Sequence, residues 1–169
     1  MIIFETERLI VRPYTLADGD IFFALNGDAA VMRYIRPAKS REECDRFLLE
    51  VVKYSEENPL YGRWAAEDKN SGHFIGSFSM LPLANTGQMH LGYALLSPYW
   101  GLGYAAELAR KGLEYTFLKT PLTEIFAITE DANEGSKQVL IKAGFVLQDE
   151  YVEEEKQMVK YRRGKGNTE

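Results

Sequence analysis

Apolar residues recur at Cys44, Phe47, Leu48, Val51 and Val52, an i, i+3, i+4, i+7, i+8 stripe that predicts an amphipathic helix. Ser40-Arg41-Glu42-Glu43 supplies a capping box at its start, and Pro59 lies beyond its end. Thr15-Leu16-Ala17-Asp18 opens an earlier helix in the same style, with Ile21, Phe22 and Leu25 on one face and Gly27 at the close; Leu9 to Arg12 before it reads as a short strand. After Pro59 the period falls to two. Arg63 to Glu67, a run carrying Phe74, Phe78 and Met80, and Met89 to Leu96 read as three strands joined by turns at Asn70-Ser71-Gly72 and around Asn85 to Gly87. Short connections of this kind imply an antiparallel meander. From Gly103 to about Leu118 the helical period returns, with Ala106, Ala109, Leu113, Thr116 and Phe117 on one face. Ile125 to Thr129 is β-rich, and Asn133 to Ala143 is helical with Gly144 as its stop. Phe145 to Val152 and Gln157 to Arg162 form a closing hairpin. The order β-α-α-β-β-β-α-β-α-β-β predicts an α/β (α+β) protein with a mostly antiparallel sheet and one βαβ crossover between residues 89 and 129.

With 169 residues and no repeat or linker, one domain over 1–163 is expected, with 164–169 as a flexible tail. The 46% hydrophobic and 27% charged content excludes a disordered or low-complexity chain. A net charge of −5 offers no basic footprint for nucleic acid, and Lys160, Arg162, Arg163 and Lys165 read as a solvated terminal strand. Apolar runs fall far short of the ~20 residues that span a bilayer, and Met1 to Arg8 lacks the basic and apolar regions of a secretory signal, so a cytoplasmic protein with no membrane partner is expected. One cysteine, Cys44, and two histidines leave too few soft ligands for a zinc site, so no metal is expected.

The informative segment is Leu95-Leu96-Ser97-Pro98-Tyr99-Trp100-Gly101-Leu102-Gly103-Tyr104-Ala105-Ala106, which joins a strand to a helix through closely spaced glycines. Such a loop converges backbone N–H groups on the positive end of a helix, where a phosphate or pyrophosphate fits. A turn that only packs helix against strand is the bland alternative. Gly101 to Ala106 also matches G-x-G-x-x-A, the dinucleotide fingerprint. Four residues separate that motif from the strand, however, and the antiparallel meander leaves room for a single parallel βαβ unit.

The segment Gly92 to Glu107, taken as a whole, resembles the acetyl-CoA-binding motif of the GNAT acetyltransferase superfamily, in particular its ribosomal-protein N-terminal acetyltransferase-like branch. Thr6-Glu7-Arg8-Leu9-Ile10-Val11-Arg12-Pro13 resembles that branch's opening strand, and Asn133, Ser136 and Ala143-Gly144-Phe145 its last-helix signature. The resemblance implies a mixed, mostly antiparallel sheet of about seven strands flanked by four helices, with a splayed parallel pair forming the acetyl-CoA cleft. It implies pantetheine on the backbone of Ala94, Leu95 and Leu96, and pyrophosphate on Gly101, Leu102, Gly103, Tyr104 and Ala105. Trp100 stands where the wider superfamily has Gln or Arg. Asn133 is expected on the pantetheine amide, as a helix N-cap, or both. Ser136 is implied as the donor to the departing thiolate, because the superfamily's tyrosine position is Leu140 here. His90 occupies the position of a glutamate in relatives, and its ordinary pKa near 6.5 suits a base or water relay. Met32, Arg33, Tyr34 and Trp64 are expected to wall the acceptor site.

The implied reaction is acetyl transfer from acetyl-CoA to a primary amine, which must be neutral to attack. At pH 7, deprotonating a lysine-like amine costs ~4.6 kcal/mol and an α-amine ~1 kcal/mol. A protein N-terminal α-amine is therefore the expected acceptor. A polyamine, amino-acid derivative or antibiotic amine is the enzymatic alternative, and a non-catalytic CoA sensor the other. Such an enzyme is expected to be a monomer or homodimer.

Overall fold

The strand Phe74–Leu83 is buried almost continuously from Phe74 to Met80, a pattern that requires cover on both faces of the sheet. The computed structural model, which describes residues 1–166, supplies that cover. Among the described residues eight strands form one sheet: β1 (Phe4–Glu5), β2 (Leu9–Pro13), β3 (Gly62–Asp68), β4 (Phe74–Leu83), β5 (Gln88–Leu95), β6 (Glu124–Glu130), β7 (Val146–Glu153) and β8 (Lys156–Gly164), in the order β1-β2-β3-β4-β5-β6-β8-β7. Five helices accompany them: α1 (Gly19–Asn26), α2 (Ala29–Met32), α3 (Arg41–Glu57), α4 (Tyr104–Lys119) and α5 (Glu134–Lys142).

Two elements exceed the sequence expectation. β1 has two residues, too few to show a period, and exists because Phe4 and Glu5 pair with Val11 and Ile10. α2 is a single turn, capped by the Asp28 carboxylate, which accepts from the N–H groups of Ala30 and Val31. The capping box of α3 forms as read: Ser40 Oγ accepts from Glu43 N–H at 3.2 Å, and the Glu43 carboxylate accepts from Ser40 N–H at 3.0 Å. β8 runs through Gly164, past the boundary expected at 163, and Lys165 N–H donates to the Thr123 carbonyl at 2.9 Å. Of the tail expected over 164–169, residues 167–169 lie outside the described residues.

Alternation along the strands sorts the core into two layers. Trp64, Ala66, Phe78, Leu91 and Leu95 face α4 and α5, whose Leu108, Ala109, Leu113 and Leu140 are buried against them. Ala65 and Phe74 face α1, α2 and α3 through Phe22, Leu25, Met32, Leu48 and Val51. All strand pairs are antiparallel except β5 and β6, which are parallel and meet at one register point, His90 opposite Phe126. Beyond it the two strands part, and a cleft opens through the sheet.

Candidate active site

At the mouth of the cleft β5 ends, a turn over Ser97–Tyr99 follows, and α4 begins. Gly101 and Gly103 hold φ values of +73° and +85°, the left-handed region that a side chain disfavours. No side chain caps α4. Its first intrahelical donor is Glu107 N–H, to Gly103 O at 3.1 Å, which leaves the N–H groups of Tyr104, Ala105 and Ala106 aimed out of the helix. A Cβ at Gly101 would meet nothing within 4 Å, so the space over the loop is open. An uncapped 16-residue helix beneath an open glycine loop is a fitting seat for a diphosphate.

Arg8 flanks the same loop. Its guanidinium lies 4.1 Å from the Tyr104 ring centroid, and its Nε donates to Glu107 Oε1 at 2.8 Å. Arg8 N–H and the Thr6 hydroxyl donate to the other Glu107 oxygen. Burial works to raise the Glu107 pKa, but these hydrogen bonds outweigh it and hold the carboxyl below its ordinary value. From sequence alone, Thr6-Glu7-Arg8 carries only a strand signature. Glu107 in the first helical turn is the signal that it has a partner.

Two cavities meet in the cleft. One, of about 660 Å³, is lined by Ala94, Leu95, Trp100, Gly101, Gly103, Tyr104, Ala105, Asn133 and Ser136, nine of the predicted residues. Leu96 and Leu102 do not line it: Leu96 N–H turns inward to the Ile75 carbonyl at 2.9 Å, and the Leu102 side chain points to solvent. Strand alternation then points the N–H and carbonyl of Leu95 to the open side. The Trp100 indole N–H donates to that carbonyl at 2.8 Å, so the Leu95 N–H remains for an incoming chain. The second cavity, of about 600 Å³, contains His90, Arg36, Arg63, Ser77, Ser79 and Gly92. Tyr34, Ile35, Tyr93, Ala94 and Asn133 line both cavities, which gives one cleft with two openings.

Asn133 serves as the N-cap of α5, its side-chain oxygen accepting from Ser136 N–H at 3.2 Å. The Ser136 hydroxyl is 3.0 Å from the Tyr93 hydroxyl. Burial, only partly offset by that hydrogen bond, pushes the Tyr93 phenol up to about 12, so it stays protonated. Tyr93 was not singled out from sequence; its odd position on β5, in phase with Leu91 and Leu95, is the signal that it faces α5. On the opposite face, burial and then the charge of Arg63 lower the His90 pKa below its ordinary value, so the imidazole is neutral at pH 7. Tyr34 lines both cavities, whereas Arg33, expected on the acceptor wall, lines only the cavity beside the glycine loop. Met32 and Trp64 line neither. Met32 is 2% exposed among the helices, and Trp64 is 1% exposed and stacked on Phe78. Both are core residues rather than acceptor wall, because β3 turns Arg63, not Trp64, to the cavity side. Among the described residues no group of three His, Cys, Asp or Glu side chains could hold a metal ion, and no helix is long and apolar enough to cross a membrane.

Comparison with known proteins gives a consistent picture. The acetyltransferase (GNAT) domain family matches residues 8–146. An uncharacterized N-acetyltransferase of Bacillus subtilis, YoaA, is 30% identical over 147 residues, covering 85% of this chain and 82% of its own. The spermidine N-acetyltransferase of Vibrio cholerae, solved with CoA and spermine, superimposes with a TM-score of 0.80 at 20% identity, covering 95% of this chain and 97% of the other. The ribosomal-protein-S5-alanine acetyltransferase of Vibrio fischeri superimposes with a TM-score of 0.76 at 23% identity, covering 98% of each chain.

Proposed function

This chain belongs to the GNAT acetyltransferase family and is an acetyl-CoA-dependent N-acetyltransferase; from that premise we propose that the cleft between β5 and β6 takes acetyl-CoA on the α4 side and an α-amine on the other. The observation that carries this is the single register point between β5 and β6, with an uncapped helix at the mouth of the opening it creates. Acetyl-CoA would supply the reactive thioester. Pantetheine would add to the free edge of β5, and the diphosphate would sit on the N–H groups of residues 101–105 with Arg8 alongside.

In this reading the Leu95 N–H donates to the thioester carbonyl and stabilises the negative charge that develops there as nitrogen attacks. The neutral His90 imidazole, directly or through water, accepts the proton that the amine sheds. The Ser136 hydroxyl, backed by the protonated Tyr93 phenol, donates to the departing thiolate. Trp100 acts by holding the strand-end carbonyl, which explains an indole at a position given to Gln or Arg elsewhere in the superfamily. A protein or peptide N-terminal α-amine is the acceptor best matched to a single weak base, since it needs only ~1 kcal/mol for deprotonation at pH 7. The fold is shared with both a spermidine and a ribosomal-protein acetyltransferase.

Thiol release from acetyl-CoA across a panel of peptides, amino acids and polyamines tests the proposal. Turnover with an α-amine supports it. Turnover confined to polyamines or other side-chain amines would overturn it.

A further inference from the structure

The acceptor side of the cleft holds two arginines that meet no carboxylate among the described residues. Arg63 on β3 pairs with Ser79 on β4, which pairs with Gly92 on β5. Two residues along, Leu81 pairs with His90, so Arg63 and His90 project from the same face of the sheet. Phe47 of α3 lies over this face, its ring centroid 5.4 Å from the Arg63 guanidinium carbon and 5.3 Å from that of Arg36. Arg36 donates to two neutral acceptors, Asn26 Oδ1 at 3.0 Å and Met32 Sδ at 3.4 Å. The Arg63 side chain forms no hydrogen bond with any described residue, although its backbone pairs in the sheet. Burial and then the like charge of Arg36 push its guanidinium down to about 10, with only the Tyr14 hydroxyl acting in its favour.

Three cations, Arg36, Arg63 and Lys39, share the Phe47 ring, and the two half-buried guanidiniums, with no counter-ion among the described residues, are costly for the free protein. They become favourable when a ligand brings the missing charge. A guanidinium fork matches a carboxylate, since two parallel N–H donors meet its two oxygens. The acidic side chains on this cavity, Asp149 and Glu153, come from β7 at its other wall, which also carries Lys160. Lys160 donates to Gln88 Oε1 at 2.7 Å. The wall shared with His90 and Gly92 is therefore cationic.

We propose that Arg36 and Arg63 receive a carboxylate on the acceptor, so that the enzyme acetylates amines bearing a nearby carboxylate and discriminates against polyamines. This rests on the acetyl-transfer reading above and narrows its substrate class. The carboxylate has two sources, the α-carboxylate of a free amino acid or an acidic side chain next to a peptide N-terminus. His90, on the same face, would then meet the amine while the arginines hold the anion.

Matched acceptors decide the matter: Ala-Glu-amide against Ala-Gln-amide, and alanine against alaninamide, with spermidine as the polycation, all rated per neutral amine by thiol release. Hydrogen bonds to charged groups of this kind give ~10–100-fold, so the carboxylate member of at least one pair should be preferred by that factor in kcat/KM. The pair that shows it identifies the source. Arg63→Met should shrink the preference to about twofold, chiefly through acceptor KM, with KM for acetyl-CoA unchanged; Arg63→Lys should restore part of it. Equal use of acids and amides, preference for spermidine, or a preference that survives Arg63→Met would each overturn the inference while leaving the acetyltransferase reading intact. Should no acceptor release thiol, that reading fails instead, and saturation-transfer NMR with acetate alone decides the anion site. A signal lost in Arg63→Met upholds the site, and the absence of a signal on the wild-type protein overturns it.

Discussion

Gly76 tests the claim that the end of β5 is the reacting surface. It lies on β4 opposite Leu95, at the point where the β3–β4 register shifts between Ala66 and Glu67. A Cβ there would fall 2.8 Å from Leu95 Cα and 3.0 Å from Leu95 Cδ2, and closer still to the Ala94 carbonyl oxygen. Two of these three atoms are backbone and cannot rotate away. Carbon atoms settle at about 3.5–4.0 Å, so Gly76→Ala must move Ala94 and Leu95 by roughly 1 Å. Overpacking of this size costs ~1–3 kcal/mol, which for a chain of this length lowers Tm by ~2–12 °C. The displaced segment carries the N–H assigned to the thioester carbonyl, and a misplacement of ~1 Å reduces turnover on the order of 100-fold. The diphosphate seat at 101–105 lies on a separate loop, so CoA affinity should fall much less than kcat. Thiol-release kinetics, calorimetric CoA titration and thermal melting read the three quantities. A Gly76→Ala protein with kcat within about threefold of wild type and an unchanged Tm would refute both the packing argument and the role given to residues 94–95.

Other perturbations separate the remaining roles. Gly103→Val forces a β-branched residue to adopt a φ of +85° beside Arg8; strain of ~1–3 kcal/mol should weaken CoA binding about 5–150-fold, and an unchanged titration would clear the loop of that role. Ser136→Ala and Tyr93→Phe should each lower kcat by ~100-fold or more with CoA affinity retained. If the hydroxyls act as one relay, the double variant is no slower than the worse single one, whereas multiplicative losses would show that they act separately. The lowered His90 pKa of the free protein places the acidic limb of kcat/KM, rated per neutral amine, below pH ~6.5, and His90→Gln should flatten it. The same shift favours the neutral imidazole in the fold, so its contribution to stability is full above pH ~6.5 and is lost as pH falls toward the folded value. Wild-type Tm should therefore decline more steeply than that of His90→Gln in that window, and parallel curves would contradict the shift.

Most of the architecture could be read from the chain because its signals are local. A capping box, a 3.6-residue stripe and a glycine pair are complete within a few residues, and α3, α4 and the glycine loop lie where the sequence places them. The acceptor wall could not be read so, since it depends on which face each strand residue occupies. Arg63 and Trp64 are adjacent, and a shift of one residue exchanges core and cavity. Trp64 is the residue expected on that wall from sequence, but the pairing of Arg63 with Ser79 and Gly92 turns the arginine to the cleft. The Tyr93–Ser136 contact joins residues 43 positions apart, so nothing local reports it.

Alternation along β5 also shows how the acid and base proposed above would serve one bond without neutralising each other. Tyr93 faces α5 and Ser136, while His90 faces the cavity of Arg63. In the mechanism proposed above, a thioester laid along the free edge would have the His90 side open to an incoming amine and the Ser136 side open to the departing sulfur. The sheet itself keeps donor and acceptor protons apart, and that separation exists only because β5 and β6 pair at one point and then diverge. Had they stayed zipped, the Leu95 N–H would be bonded to β6 and the two faces would share no edge.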